Sequence, residues 1–487
     1  MSLPQELRFE NLSQPHSATI YTQKTAPVSF SQDFCRFEIP KQGILNSTAI
    51  VEWSFSPKTN TVNTSGSTFP MNIGAFANIE RAVISTESGK VIMDNRNFAE
   101  KQVCEEVFRD GAYSHFLARY MNLSNWSFSY TSPFEPTSGL MRLSGVPQDA
   151  VGVPSLDGSK WSSPSICILG GDVSPPVAQS VRVSLQQLFP FLYGVQLPVN
   201  IMETLFVDIY WKRDTVEGKV VVGNSVAEGD SAYLAGGVVN QNDCFLISDH
   251  LVYDDSSVMD AIKAHQMLNG GLSFPFKDYV SQVVATQAPS AETSTEQYER
   301  ELGCSKYKLT DLRNIELSGI GGVSHPLVGK YYSNGNQIRD IQLVLNDSNY
   351  FPDNDKTQME NYSELSALYG GVNPYIPRPY YATGSTPENS AIPDGAWSSA
   401  TEPAVSNFNG QDQKEISGQC NIIAFNLKDS SNQSYQNGNQ PIRMYYKKKA
   451  SSIQEPWTIG SLQYFFIGYD RSFAVAPNGR VLVSEYD

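Results

Sequence analysis

The sequence predicts an all-β chain made of two sandwiches in tandem, joined by a short helix. Three observations carry this. The 487 residues include 25 Tyr, 24 Phe and 6 Trp against only 17% charged side chains, and 35 Gly and 28 Pro are spread along the chain. That balance suits strands linked by ordered loops better than solvated helices. At the midpoint, the runs 205–211 and 244–253 have the composition of buried strands. They lead into a helix for which Asp254, Asp255, Ser256 and Ser257 are candidate N-caps. Val258, Met259, Ile262, His265 and Leu268 recur there at helical spacing, and Gly270-Gly271 is the stop. Finally, each half runs strands, a long loop region, then more strands. A length of 487 residues is about three times the common domain size, so two domains are expected.

Taken in order, residues 1–26 are polar with little periodicity and read as an N-terminal arm. Residues 27–255 form the first sandwich, 256–271 the linker helix and 272–487 the second sandwich. In the first, 34–40 and 50–55 alternate apolar and polar positions and read as strands after a turn at 41–43. Residues 79–84 and 91–93 read as a hairpin closed by Ser88-Gly89-Lys90. Residues 95–109 place Phe98, Ala99, Val103 and Val107 on one helical face. The stretch 112–180 is long, aromatic and loop-like, a length that usually accompanies a contact role. Alternation resumes at 181–185, and 188–198 feeds the central strands. In the second half, 274–284, 312–318 and 338–345 are strand candidates, the first two on either side of a polar segment. Residues 352–415 form a second long loop region rich in Pro, Tyr and Ser. Strands return at 420–427, 442–446, 464–469, 473–475 and 481–483, and Asn478-Gly479 between the last two is the best hairpin signal in the chain.

A net charge of −15 with an isoelectric point near 4.9 argues against binding along a phosphate backbone. The one basic run, Lys447-Lys448-Lys449, is too short to change that and reads as a solvated strand end. The six cysteines, Cys35, Cys104, Cys167, Cys244, Cys304 and Cys420, are scattered without a CxxC pair. They read as buried thiols rather than a disulfide framework or zinc site. The first residues lack the basic-then-apolar pattern of a signal peptide, so none is expected, and no apolar run reaches membrane-spanning length. Sequons such as those at Asn46, Asn122 and Asn361 arise readily by chance in an Asn- and Ser-rich chain.

Catalytic constellations are absent from the pattern. The five histidines, His16, His115, His250, His265 and His325, form no HxH or HExxH group. His250 falls in a strand and His265 on a helix face, so packing or surface roles fit both better than metal ligation. There is no GxSxG elbow. The Gly-rich stretch 319–323 lacks the following helix and Lys-Ser/Thr of a phosphate loop. Asp347, Asp353 and Asp355 sit close together and could take a hard cation, but their spacing is not that of an EF-hand. The aromatic loop 375–381 could stack on sugars or simply anchor a loop. No catalytic, cofactor or metal residue is assigned.

The order of segments carries more than any motif. Phe37-Glu38-Ile39-Pro40-Lys41-Gln42-Gly43 together with the Trp53 strand resembles the opening strand pair of the double jelly-roll major capsid proteins of large icosahedral DNA viruses, nucleocytoplasmic and virophage-like. Leu188-Phe189-Pro190 through Leu197-Pro198 to Ile209-Tyr210-Trp211 resembles the closing part of that family's first roll. Residues 246–253 running into the helix at Ser257 are similar to its last strand and linker. Residues 464–486, with Gly468-Tyr469-Asp470 and Asn478-Gly479, are similar to its terminal strand pair. Together these pieces span nearly the whole chain.

The resemblance implies two consecutive eight-stranded jelly rolls per chain and a homotrimer whose six rolls make a pseudo-hexagonal capsomer. It implies a virion location, with neighbouring capsomers, minor capsid and penton proteins and an internal membrane as partners. No enzyme activity, cofactor or sequence-specific nucleic-acid binding goes with it. The loops 112–180 and 352–415 would then form an outer crown or inter-subunit contacts, and the arm would face inward. Two other readings compete: a carbohydrate-binding or glycoside-hydrolysing sandwich, which needs two facing carboxylates, and a minor capsid or spike jelly roll.

Overall fold

A computed structural model describes residues 18–57, 67–68, 73–106, 168–170, 179–212, 221–223, 233–235, 237–286, 295–304, 308–318, 337–350, 368, 422–428, 433–437, 440–449 and 461–484. The two long loop regions lie outside these apart from residues 168–170, 179–180 and 368. So do the 319–323 and 375–381 stretches, Cys167, Cys420, Asp353, Asp355, His16, His115 and His325.

Before the linker, two five-stranded antiparallel sheets face each other. One runs Ala18–Thr25, Gly237–Tyr253, Ile50–Pro57, Gln179–Ser184, with Ile44–Leu45 also on Gly237–Tyr253. The other runs Ser29–Ser31, Phe34–Glu38, Leu205–Trp211, Ile79–Thr86, Val91–Arg96. Alternation decides what fills the space between them: Cys35 and Phe37, Val51 and Trp53, and Val207, Ile209 and Trp211 are all sealed from solvent. Trp53 and Trp211 meet across the core with ring centroids 5.0 Å apart, an arrangement that adds to their area burial. A smaller antiparallel ribbon joins Tyr233–Ala235, Val221–Gly223, Ser67–Thr68 and Ile168–Gly170.

After the linker, the strands Leu272–Thr286, Ser461–Val475, Lys308–Ser318 and Ile422–Asn426 form one sheet, extended by Tyr435–Gln436 and Val481–Ser484. Thr295–Leu302, Ile442–Lys449, Gln337–Leu345 and Ser348–Asn349 form the sheet opposite. Ile341, Leu343, Phe425, Met444, Phe465 and Ile467 close the core between them.

Ser461–Val475 has two apolar faces. Phe465, Ile467 and Tyr469 enter the second core. Tyr464, Phe466, Phe473 and Val475 belong to a cluster continuous with the first. A strand covered on both sides reads as an unbroken apolar run, and Tyr464-Phe465-Phe466-Ile467 is such a run. The two strands expected at 464–469 and 473–475 are thus one 15-residue strand. The hairpin at Asn478-Gly479 is present: Gly479 takes φ 81°, and its N–H donates to the Ala476 carbonyl at 2.8 Å. The hairpin closed by Ser88-Gly89-Lys90 is present too, with Ile79–Thr86 against Val91–Arg96.

The linker helix runs Ser256–Leu268, with the Asp255 carboxylate accepting from the Ser257 N–H at 2.9 Å as its N-cap. Gly270 and Gly271, at φ 70° and 148°, turn the chain into the second sandwich. The first helix spans Phe98–Glu106.

Two of the longer strands were not legible. Residues 18–25, expected in the arm, pair along their whole length with 246–253. Ala18 to Tyr21 are exposed on both faces, which leaves no alternation to find. Thr295–Leu302, within the polar segment, is an edge strand on Ile442–Lys449. Tyr298, Arg300 and Leu302 face inward, Tyr298 stacking on Tyr446 at 5.5 Å and Arg300 Nε donating to Gln463 Oε1 at 3.1 Å.

Candidate functional site

The most concentrated chemistry among the described residues lies where the two sandwiches meet. On the second sandwich, the register aligns Tyr279, Gly468 and Asp311 in one row across three neighbouring strands. From the first sandwich come the helix Phe98–Glu106 and the hairpin edge Val91–Arg96.

Asp311 is fully buried. It accepts hydrogen bonds from Arg313 Nε at 2.7 Å and Thr310 Oγ1 at 2.7 Å, and forms a close ion pair with Lys277 Nζ. Arg313 also donates to the Tyr279 hydroxyl at 3.0 Å and approaches Glu105 of the first helix at 3.9 Å. The Tyr279 ring is ringed by cations, with Lys101 at 4.1 Å, Lys277 at 5.1 Å and Arg313 at 5.3 Å from its centroid.

The electrostatics follow from this packing. Burial alone would raise the Asp311 pKa, but Arg313 and Lys277 beside it outweigh burial and hold it down at about 2. Lys277 is shifted below the usual lysine value by desolvation, which its pairing with Asp311 only partly offsets. Burial also pushes the Cys104 thiol on the facing helix up to about 12.

A second link lies nearby. Arg471 Nη1 donates to Asp278 Oδ2 at 2.8 Å and to the Ile92 carbonyl at 2.8 Å, and Nη2 reaches the Val91 carbonyl at 3.2 Å. One guanidinium therefore holds a carboxylate of its own sheet and the backbone of the other sandwich, a use suited to its fork of fixed donors. Asp278 also accepts from the Tyr469 hydroxyl at 3.0 Å and the Tyr279 N–H at 2.8 Å. Its pKa is nevertheless raised by desolvation, which outweighs these bonds. Unlike Asp311, Asp278 can therefore relax by taking up a proton. Asp278→Asn is expected to cost less than Asp311→Asn in denaturant titrations at neutral pH, because the charge it removes is one that burial already disfavours.

Backbone and apolar contacts complete the seam. The Glu203 carboxylate accepts from the Val481 N–H at 2.6 Å and the Ser88 N–H at 3.0 Å. These bonds hold its pKa below the ordinary carboxylate value against the opposing effect of burial. Gln266 of the linker helix donates to the Val475 and Ala476 carbonyls at 3.2 and 2.6 Å. Phe191, from the turn Pro190–Leu192, packs on Phe276 and Phe473 at 5.2 and 5.8 Å, and Phe274 stacks on Phe473 at 4.8 Å.

Gly468 marks how tightly the charged row is built. A Cβ there would lie 2.6 Å from Thr310 Oγ1 and collide with Asp311 Oδ1. Gly468→Ala is expected to lower stability by about 2–4 kcal/mol through displacement of the buried ion pair. Thermal melting of the variant beside wild type would measure this, and an unchanged melting temperature would refute the crowding argument.

The residues singled out by sequence are placed elsewhere. His250 is buried between Ser248 Oγ at 2.9 Å and the Gln42 carbonyl at 2.8 Å, and burial lowers its pKa. His265 lies in the last turn of the linker helix. Asp347 is exposed in a turn at φ 59°, 3.8 Å from Arg443. Lys447 pairs in register with Gln297 and Arg339. Among the described residues no group of three or more His, Cys, Asp or Glu is placed to hold a metal ion. No helix among them is long and apolar enough to cross a membrane.

No family model matches the chain, and no curated protein matches it. Solved structures do. A chain of the Sputnik virophage particle aligns over 97% of this chain and 89% of its own, at 10% identity and a TM-score of 0.59. PBCV-1 VP54, fitted into a reconstruction of the same virophage, aligns over 97% of both chains at 10% identity and a TM-score of 0.50. The mavirus major capsid protein aligns over 95% of this chain and 90% of its own, at 13% identity and a TM-score of 0.48. At such identities the likeness is one of backbone, and it runs through both sandwiches and the helix between them. By fold, the chain is a double jelly roll.

Proposed function

We propose that this chain is the major capsid protein of an icosahedral DNA virus, and that three copies form a pseudo-hexagonal capsomer. The carrying observation is the seam. Two sandwiches, locked by a buried charge cluster and an aromatic stack, make a two-lobed block that can tile as one piece. A threefold ring of such blocks has six lobes and packs in a hexagonal net. The near full-length likeness to a chain of a virophage particle supports this reading. In this reading the chain has a structural role and no enzymatic one.

In this proposal the first roll ends near 255, residues 256–271 are the linker, and the second roll begins at 272. The chain's partners are its own copies, neighbouring capsomers, minor capsid and penton proteins, and an internal membrane beneath the shell. Its place is the virion.

Light scattering after size exclusion tests the trimer directly. The expected mass is three times 53.8 kDa, with a hexagonal outline in negative stain. A chain that stays monomeric at high concentration would overturn the capsomer and turn attention to glycan binding.

A further inference from the structure

We propose that Cys35 and Cys244 form a modification site, a thiol pair that closes into a disulfide between the two sheets of the first sandwich. Cys35 belongs to the strand Phe34–Glu38 and Cys244 to Gly237–Tyr253 in the facing sheet. Both are wholly buried in one core cluster, and the Cys244 thiol is close enough to act on the protonation of Cys35. Of the other cysteines among the described residues, Cys104 is buried in the same cluster but on the helix Phe98–Glu106, and Cys304 is buried in the second core.

The backbone gives this pair room to close. Along Gly237–Tyr253 the register passes from Asn240 opposite Ser54 to Phe245 opposite Glu52, so residues 241–244 bulge out opposite the single position Trp53. On the other side, pairing with the edge strand ends at Leu246 opposite Thr25. Cys244 therefore stands outside both ladders, and its backbone can shift without breaking one. Nearby, Gln32 Nε2 donates to the Val239 carbonyl at 3.0 Å, tying the turn before Cys35 to the strand that carries Cys244. A bond of about 2.05 Å between the sulfurs can then draw on the bulge, whose residues lie outside both ladders.

The co-reactant is a low-molecular-weight disulfide such as oxidised glutathione. One cysteine thiolate attacks a sulfur of that donor and forms a mixed disulfide, expelling one thiolate of the donor. The second cysteine thiolate attacks the chain's own sulfur in the mixed disulfide and expels the other. The two cysteines together lose two protons and two electrons, and the donor is reduced to two thiols. In the closed sandwich, burial and the neighbouring thiol raise the Cys35 pKa and keep its thiolate scarce. Closure therefore takes place before the sheets seal or when they open locally, and the finished bond is sheltered from reductant. Because it joins the start of the first roll to its last strand, it cross-links one lobe and leaves the other untouched.

The test is to refold the full chain from denaturant with and without a glutathione redox pair, alkylate in denaturant, and map peptides by mass. The expected result is one linked pair of peptides carrying Cys35 and Cys244, about 2 Da lighter than the reduced pair. Alkylation at both positions should fall at least roughly tenfold, and the melting temperature should rise. Cys35→Ala should abolish both changes while melting like the reduced wild type. If both cysteines remain fully alkylatable after oxidative refolding, or if either links instead to another cysteine, the proposal is wrong. Should Cys35→Ala fail to fold, the wild-type peptide map decides alone.

Discussion

Asp311→Asn is expected to destabilise the protein by about 3–5 kcal/mol, the range for removing one partner of a buried ion pair. The carboxylate serves Arg313, Lys277 and Thr310 at once, and the amide that replaces it is nearly the same shape but carries no charge. Lys277 can relax by losing a proton, since desolvation already lowers its pKa. Arg313 cannot. Its bond to the Tyr279 hydroxyl and its 3.9 Å approach to a Glu105 oxygen do not replace the short charge-assisted bond to Asp311. Denaturant unfolding at neutral pH measures the cost. A loss below about 1 kcal/mol would mean that water or a neighbouring group takes over the role of Asp311.

The same residue gives that variant a pH signature. Asp311 titrates at about 2 in the folded chain against 3.8 for an ordinary aspartate. The native state therefore binds fewer protons than the unfolded state between these values. The stabilisation is complete above the ordinary value and is lost as pH falls from near 4 towards 2. It is on the order of 2 kcal/mol. Asp278 works in the opposite sense. Its raised pKa means the folded chain binds the extra proton first, so its contribution grows as pH falls through that raised value. Wild type should thus lose more stability in the acid range than Asp311→Asn does, and the gap between their unfolding midpoints should narrow steadily below pH 4. A gap constant from pH 7 to pH 2.5 would contradict the assignment.

The strands were legible where one face is buried and the other wet. The runs at 34–40 and 50–55 alternate because their sheets do. Where both faces are wet, as at Ala18 to Tyr21, or where half of an edge strand is charged, as in Thr295–Leu302, the pattern disappears although the ladder is complete. The seam was hidden for a different reason. Asp311 and Arg313 alternate with Leu312 and Asn314, as solvent-facing residues on a half-exposed strand would. Nothing local says that this face is covered by a helix some two hundred residues earlier in the chain. Glu105, Ile92 and Val91, which complete the cluster, lie in a segment that reads as an ordinary hairpin and helix. Gly468 likewise looks like a common strand glycine until Asp311 and Thr310 are seen to occupy the space of its missing Cβ. The tandem architecture was legible, but the contact that makes the two rolls one body was not.

That contact has an apolar half, and Phe473→Ala is expected to cost about 3–5 kcal/mol, as for other buried aromatic truncations. Phe473 is fully buried and stacks on Phe274 at 4.8 Å with planes 13° apart. Phe191 of the first roll meets its edge at 5.8 Å with planes 80° apart. Phe276 closes the group at 6.1 Å. Removing the ring leaves a void lined by aromatic faces from both rolls, none of which can collapse into it without moving a strand. The loss should therefore fall on the joint rather than on either core. The expected result is a lower unfolding midpoint together with new proteolytic cleavage in the linker 254–271. Cleavage needs the linker helix to leave its dock on the Val475 and Ala476 carbonyls. Phe425→Ala, a truncation of similar size inside the second core, should lower stability comparably without exposing the linker. If both variants are cut alike, the seam is no weaker than the cores, and the two rolls unfold as one cooperative unit. If only Phe473→Ala is cut, the aromatic stack is what holds two separately folded rolls together as a single block.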